Sequence, residues 1–450
     1  MDNVLLVTID SLRADHVGYH GYERDTTPNI DRLASEGSRF MNAFAHGGST
    51  MFSFPGILTG VTPLMYGGHD RVSDSQTVVS EVFDDAGYQT GGFHSNLYVS
   101  GQFGYDRGWD AFYDSAPDQG MLASARKWAK TNLQETPVYS LLQWGYDKLE
   151  SEGGINVGSY HVPADEMTDR AIEWLESTDD DRPTFLWVHY MDVHHPFLPP
   201  EEYQRHFRDD VVSDTDSIKL RRKFIEEPDA VTDEEYQRFI DLYDAEIRFN
   251  DAEVGRLVDA AEREWGDDYV MAMTADHGDH FLDHGYFGGA NALDLKIHVP
   301  LFVSGWDDDG EYDELVGLTD LPSTLVDAVG LDVPRNFYGE SLRKLVFDGE
   351  WDRDAVFGGW TSDDGDNHFV REEEWKLIRR PDGSAELYDL VDDPKERTNL
   401  VDDDPSEVRR LQKRIDEHLE LVRATADDDV ERPDMNEDVK ERLRRLGYSE

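Results

Sequence analysis

The chain contains no cysteine. Disulfides, thiolate metal sites and a cysteine nucleophile are therefore excluded, and the redox compartment is left open. Positive charge is scarce: Lys and Arg total 43 of 450 residues against 97 Asp and Glu, a formal net charge of −54. Such a field repels phosphate backbones and anionic lipid, which argues against nucleic acid and membrane surfaces as partners. Long apolar runs are missing too. No stretch approaches the roughly 20 apolar residues that span a bilayer, so no stable membrane anchor is expected. The opening MDNVLLVTID lacks a basic region and its short apolar run ends in a charge, unlike a secretory signal. The expected location is the cytoplasm.

The acid is spread along the whole chain, with Asp clusters at 179–181, 307–309, 402–404 and 427–429. A disordered acidic tail would be local, so this is a property of the whole surface. It suits a high-salt cytoplasm, where dense carboxylates stay hydrated and salt screens their repulsion. Hydrophobic residues still make up 38 %, enough for a real core. The length points to more than one structural unit.

Val4–Asp10 is an apolar, β-branched run that ends in an acid and reads as a buried parallel strand. Further strands are expected at 88–96, 184–192, 269–274 and 299–304. Helices are expected from Pro28 to Gly37, over 74–87 and 321–329, and from the capping box Thr232-x-x-Glu235 through Glu264. This alternation predicts an α/β fold with a large mixed, mostly parallel sheet sandwiched by helices. The catalytic domain is expected over 1–335, with insertions at about 115–165 and 200–231 that roof a pocket. A small α+β subdomain is expected over 336–450, with short strands at 355–360, 367–379 and 386–390, a helix at 405–424 and a terminal helix at 437–446.

In such folds ligands bind at the carboxyl ends of the strands. Asp10, His94, His194 and Asp276 all fall at or just past a predicted strand end. Asp10, the Asp276-His277 pair and the Thr50 hydroxyl offer an O,O,O,N donor set. That set suits one Mn²⁺ or Zn²⁺ better than the all-oxygen cage of Ca²⁺, with Mg²⁺ a further option. Singly, each has an ordinary reading as a turn cap or a loop residue. Thr50 and Ser53 lie in GGSTMFSFPGILTG, residues 47–60, a stretch of small residues that lets a hydroxyl face a pocket. His194-His195, His280, Asp283 and His284 are more histidine chemistry than structure requires. His94, His298 and Lys296 are further candidates for binding an anion or moving a proton.

The motifs VTIDSLRADHVGYHGYERDTTPNIDRLASEGSRF, FPGILTG, FLWVHYMDVHHPF, YDAEIRFNDAEVG, TADHGDHFLDHG, HVPLFVSG and ELYDLVDDPKERTNL stand in this order from about residue 3 to 400. Together they resemble the sulfatase family of the alkaline phosphatase superfamily. The resemblance implies an alkaline phosphatase-like sandwich with a small C-terminal sheet, one divalent cation at the strand ends, and cleavage of sulfate or related phosphate esters. It places Asp10, Asp276 and His277 on metal positions, with Thr50 as an added ligand, His194 on a substrate-facing position, and His284 on a histidine that follows DHG. Where typical members have a second acidic ligand this chain has Ser11. Where many carry a basic residue it has Gly288-Gly289, so Lys296 or His298 is the substitute anion contact. His284 is the expected acid for the leaving oxygen.

The largest departure is at the nucleophile. Family members carry Cys or Ser in a C/S-x-P-S-R segment ending in LTG, and that residue becomes formylglycine. Counting back from Leu58-Thr59-Gly60 puts the nucleophile slot on Thr50, the serine slot on Ser53 and the arginine slot on Phe54; a second registration uses Ser53-Phe54-Pro55. The β-carbon of Thr carries a methyl group, so no formylglycine is expected. The resulting set is similar to that of lipoteichoic acid synthases and phosphoethanolamine transferases, which are membrane-anchored. The expectation is a metal-dependent hydrolase acting through Thr50 on a small-molecule, glycan or headgroup ester. The alternatives are a phosphotransferase or phosphodiesterase acting on a sugar or lipid headgroup, and a degenerate anion-binding member.

Overall fold

The computed structural model describes residues 2–62, 65, 71–114, 161–179 and 181–425. Nine strands form the main sheet: β1 (Asn3–Ile9), β2 (Gly37–Phe44), β3 (Gln89–Phe93), β4 (Ala111–Tyr113), β5 (Thr184–Tyr190), β6 (Tyr269–Ala275), β7 (His298–Val299), β8 (Leu301–Ser304) and β9 (Glu311–Gly317). Around them lie α1 (Pro28–Ser35), α2 (Thr50–Thr59), α3 (Val79–Asp85), α4 (Ala164–Leu175), α5 (Glu201–Gln204), α6 (Asp214–Glu226), α7 (Asp233–Trp265), α8 (Asp294–Ile297) and α9 (Asp320–Ala328).

The spatial order is β4-β3-β5-β1-β6-β8-β2-β7, with β9 also paired to β2. From β4 to β6 every pairing is parallel. β5 and β6 are buried along their whole length, and β1 from Val4 onward. Near-continuous apolar runs are what a sheet covered on both faces requires. Each wholly buried Val or Leu in them contributes about 1.5–3 kcal/mol. β8 is antiparallel to β6, and β2 is antiparallel to β8. Two reversals return β2 to the direction of β1, so the chain leaving Phe44 emerges on the same edge as Asp10.

α7 starts at the expected capping box, where the Thr232 hydroxyl accepts from the Glu235 amide and the Glu235 carboxylate accepts from the Thr232 amide. Its buried face fixes the segment after β1. Tyr243 Oη donates to Ser11 O at 2.7 Å and accepts from Arg13 N at 2.9 Å. Asp251 accepts from Asn29 N and Ile30 N, satisfying amides at the start of α1.

Beyond the main sheet, β10 (Ala355–Ser362), β11 (Gly365–Glu372), β12 (Trp375–Arg379) and β13 (Ala385–Asp389) form an antiparallel sheet. α10 (Pro405–Thr425) packs on it around Val370, Leu377, Leu387, Leu411 and Ile415.

Several elements differ from expectation. The 47–60 stretch is not a loop, since α2 runs from Thr50 even through Pro55. The helix expected over 74–87 begins only at Val79. β2 was unexpected, because Arg39 and Asn42 break its apolar alternation. The strand expected over 367–379 is two strands joined by a turn at 373–374. The 200–231 insertion forms α5 and α6. Residues 115–160 and the 437–446 helix lie outside the described residues.

Candidate active site

The parallel strands β1, β3, β5 and β6 end on one edge, and backbone pairing carries past their last residues. Asp10 N donates to Tyr190 O at 2.8 Å and Asp276 N to Ile9 O at 3.3 Å. This sets the two buried carboxylates side by side. Asp276 Oδ1 accepts from Ser11 N at 3.1 Å and His277 N at 2.8 Å. Asp10 Oδ1 accepts from Ser11 Oγ at 2.7 Å. The turn is tight enough that Ser11 adopts φ 58°, the left-handed region.

Thr50 is the first residue of α2, with the extended Ser49 before it. Its Oγ1 donates to Asp10 Oδ2 at 3.2 Å. Asn96, just past β3, donates to the same Asp10 oxygen at 3.0 Å and to Thr50 Oγ1 at 3.3 Å. Ser53 is equally buried, but its hydroxyl donates to Thr50 O at 3.4 Å, along its own helix. The arginine slot, Phe54, lies edge-on to the His189 ring at 4.9 Å.

Three buried atoms facing this cluster make no hydrogen bond: Asp276 Oδ2, His277 Nε2 and His189 Nε2. His277 Nδ1 lies 2.7 Å from Gly278 O, so it donates there and Nε2 keeps its lone pair. Nε2 is 3.6 Å from Asp276 Oδ2, and His189 Nε2 is 3.7 Å from Asp10 Oδ2. Both spacings are long for a hydrogen bond. They suit two donors on one ion, since ligand atoms about 2.1 Å from a tetrahedral ion lie about 3.4 Å apart. Ligand atoms of Asp10, His189 and Asp276 all fall within 4.8 Å of one another.

The charge balance also asks for a cation. Burial pushes the Asp10 carboxyl up, but the imidazoles of His189, His194 and His277 outweigh it and hold Asp10 below the usual range. Asp276, buried against Asp10, is pushed well above that range. Two such carboxylates cannot both stay ionised without added positive charge. Two carboxylates, two imidazoles and a hydroxyl form a mixed oxygen and nitrogen set that fits Mn²⁺ or Zn²⁺.

A second group lines the cluster. Lys296 Nζ donates to Asp279 Oδ1 at 3.0 Å, and Asp279 Oδ2 is 3.7 Å from His195 Nε2. Arg221, from α6, donates through Nε to His195 Nδ1 at 2.8 Å, so the insertion does reach this wall. Burial raises Asp279, but Lys296 and His195 overcome it and keep it ionised. Burial, helped by the Lys296 charge, lowers His277 to about 4. His194 Nδ1 is 2.9 Å from His195 O.

Three expected residues are not brought into the cluster. His298 is 2.8 Å from Met41 O and stacks on Phe44, because β7 pairs it with β2. His284 lies outside His280, ring to ring at 5.5 Å, with Asp283 and the C-terminal residues Arg397, Asp393 and Glu386 acting on it. His94 is buried behind the site against Trp187 and Phe112, where burial lowers it to about 3.

His189, Asn96 and Asp279 went unrecognised in the sequence. A histidine inside the apolar TFLWVHY, one residue before the strand ends, was the available signal for His189. The other two carried none beyond proximity to motif residues.

Comparison with known proteins agrees with this architecture. The sulfatase family profile matches residues 2–331, and that of the N-sulphoglucosamine sulphohydrolase C-terminal region matches 282–425. An arylsulfatase of Clostridium perfringens is 26 % identical over 445 residues, covering 89 % of this chain and 90 % of its own. The uncharacterized sulfatase YidJ of Escherichia coli is 26 % identical, covering 89 % and 83 %. Among solved structures, phosphonate monoester hydrolase of Agrobacterium radiobacter superposes with a TM-score of 0.72 at 20 % identity, covering 94 % of this chain and 96 % of that one. A structure solved with D-glucosamine-2-N,6-O-disulfate as its substrate also gives 0.72, at 18 % identity, covering 97 % and 100 %. With its profile spanning most of the chain and the site on the expected strand ends, the chain belongs to the sulfatase family of sulfuric ester hydrolases.

Proposed function

We propose that this sulfatase cleaves sulfate esters, or related phosphate esters, with the Thr50 hydroxyl as nucleophile in place of formylglycine. The observation that carries this reading is the Thr50 Oγ1 to Asp10 Oδ2 hydrogen bond inside the buried cluster of carboxylates and imidazoles. Asp10, Thr50, Asp276 and His277, joined by His189, would hold one divalent cation. When bound, the cation would ease deprotonation of the Thr50 hydroxyl and offset the charge of the ester oxygens.

Thr50 Oγ attacks sulfur or phosphorus, and the bond to the leaving oxygen breaks. Asn96 holds Thr50 in place from the side. Lys296, held by Asp279, supplies positive charge for the ester oxygens, and His195 orients Asp279 from the far side. We assign protonation of the leaving oxygen to His194 rather than to His284. Water then cleaves the Thr ester, releasing sulfate or phosphate and restoring the hydroxyl. We further read the acid-rich surface as that of an enzyme working in a salt-rich cytoplasm.

The test compares a sulfate monoester, a phosphate monoester and a phosphodiester at high salt with Mn²⁺. Thr50→Ala should lower kcat by on the order of 10³-fold or more, while Ser53→Ala stays within a few-fold. Activity of Thr50→Ala equal to wild type would sink the assignment. Sulfated sugars head the substrates to assay, because a structural neighbour was solved with a disulfated glucosamine.

One feature favours transfer as a second reading. A Thr ester cannot expel its group by collapsing to a carbonyl, so an acceptor alcohol competes with water. Product analysis with added alcohol separates the two, and free acid as the sole sulfur or phosphorus product excludes transfer.

A further inference from the structure

The segment ELYDLVDDPKERTNL runs off the end of β13 in the smaller sheet, yet its Glu396 reaches the wall of the site. Glu396 Oε2 accepts the Asp294 amide at 2.6 Å, at the start of the short turn α8 that carries Lys296. Lys376 on β12 is wholly buried and bridges Glu396 and the Asp294 carboxylate. Arg371 on β11 donates to the other Asp294 oxygen at 3.3 Å. Two basic side chains thus face two carboxyl groups in the buried cluster. Its geometry is built in: Glu396 adopts φ 53°, and Asp393 Oδ2 accepts the Arg397 and Thr398 amides at 2.7 Å each.

On its other side the same turn is wedged between the two catalytic loops. Gly278, after the Asp276-His277 pair, donates its amide to Lys296 O at 2.8 Å. A Cβ on Gly278 would lie 2.1 Å from Leu295 O. A Cβ on Gly48, before the nucleophile, would lie 2.1 Å from Asn291 O and 3.2 Å from Lys296 Cβ. The C-terminal sheet grips the nucleophile loop as well. His46 Nδ1 is 2.6 Å from Phe357 O, and Gly359 N donates to His46 O at 2.9 Å.

We propose that the C-terminal sheet is a positioning device for the reaction, in which Lys376 and Glu396 act through Asp294 to hold the Lys296 ammonium against Asp279, facing the substrate. The proposal rests on the reading of Lys296 as a contact for the ester oxygens. With Lys376 or Glu396 replaced, α8 loses the charge-assisted bonds at its first residue, and Lys296 shifts relative to Thr50.

The experiment is a cycle on the full chain: wild type, Lys296→Met, the charge-balanced Lys376→Met/Glu396→Gln, and all three changes together. Each is measured for sulfate ester turnover and for the dissociation constant of inorganic sulfate. Lys296→Met and the balanced pair should each weaken sulfate binding about tenfold and lower kcat/KM about 10- to 100-fold. The triple variant should be no worse than Lys296→Met alone, with bound divalent metal equal to wild type in every variant. Losses that multiply in the triple variant, or a balanced pair with unchanged sulfate affinity, would overturn the clamp while leaving the Lys296 reading intact. A silent Lys296→Met removes that reading, and the clamp with it. Glu396→Gln alone, which keeps an acceptor for the Asp294 amide, covers a double variant that does not fold. It should give a smaller loss that also disappears in the Lys296→Met background, and a loss that persists there overturns the clamp.

Discussion

At the scale of single residues, the site depends on small differences in aim. Thr50 and Ser53 are both buried hydroxyls on α2 and lie less than one helical turn apart. One bonds to Asp10 and the other to its own backbone. Composition could not separate them, since both fit a register of the same motif, and only the helix geometry distinguishes them. His189 is the reverse case. Its sequence context reads as plain core, and its importance comes from Asp10 and Asp276 converging on it from neighbouring strands. Thr8 Oγ1, 3.0 Å from His189 Nδ1 and accepting from Trp187 Nε1, fixes the ring on its far side. His189→Ala should weaken divalent-metal binding by about 10- to 100-fold, read by competition with a chromophoric chelator, while His298→Ala leaves it unchanged. Equal affinity in His189→Ala and wild type would exclude His189 from the metal site.

At the scale of elements, strands announced themselves where burial on both faces made them continuously apolar. β1, β5 and β6 were legible for that reason, and so were the polar residues Asp10, His194 and Asp276 beyond them. β2 was not, because a strand near the sheet's margin carries a mixed pattern. With it went the reason why the segment leading into Thr50 reaches the same edge. His298 was misjudged for the same cause, since its partner strand was unseen. The joint between the two sheets carries its own pH signature. Burial, helped by the charges of Arg353 and His418, lowers His46 from 6.5 to about 3 against the opposing bond to Phe357 O, and its ring nitrogen accepts from Thr319 N at 3.4 Å. A base lowered in the folded state binds fewer protons there than when unfolded. Its contribution is therefore complete above pH 6.5 and lost as the pH falls toward 3. His46→Gln should be less stable than wild type by about 1–2 kcal/mol at pH 7, and denaturant titrations should show the gap closing by pH 4. A gap that is constant with pH would count against the assignment.

For the whole molecule, charge is the dominant property. A net charge of −54 raises the energy of the compact state through self-repulsion, and salt relieves it over a Debye length that falls to about 3 Å at 1 M. The melting temperature should therefore climb steeply between low and molar KCl, beyond what a protein of balanced charge shows. A flat response would remove the high-salt reading. The separate C-terminal sheet was legible from the shift to short strands after residue 336. What composition could not reveal is that the smaller sheet is tied into the catalytic loops, because that tie consists of single buried side chains.

The order of the main sheet also has a consequence in time. β1 lies at its centre, with β5 on one side and β6 on the other. On the ribosome it emerges first, but its partners follow only when residues 184–190 and 269–275 have been made. Until then its apolar edges have no mates, and a growing chain with open edges is prone to associate with others. The cluster of Asp10, His189 and Asp276 is complete only once β6 is in place, and the Glu396 contact forms later still. A nascent chain of this enzyme thus carries every residue of the proposed nucleophile segment long before the strand ends that face it have been assembled.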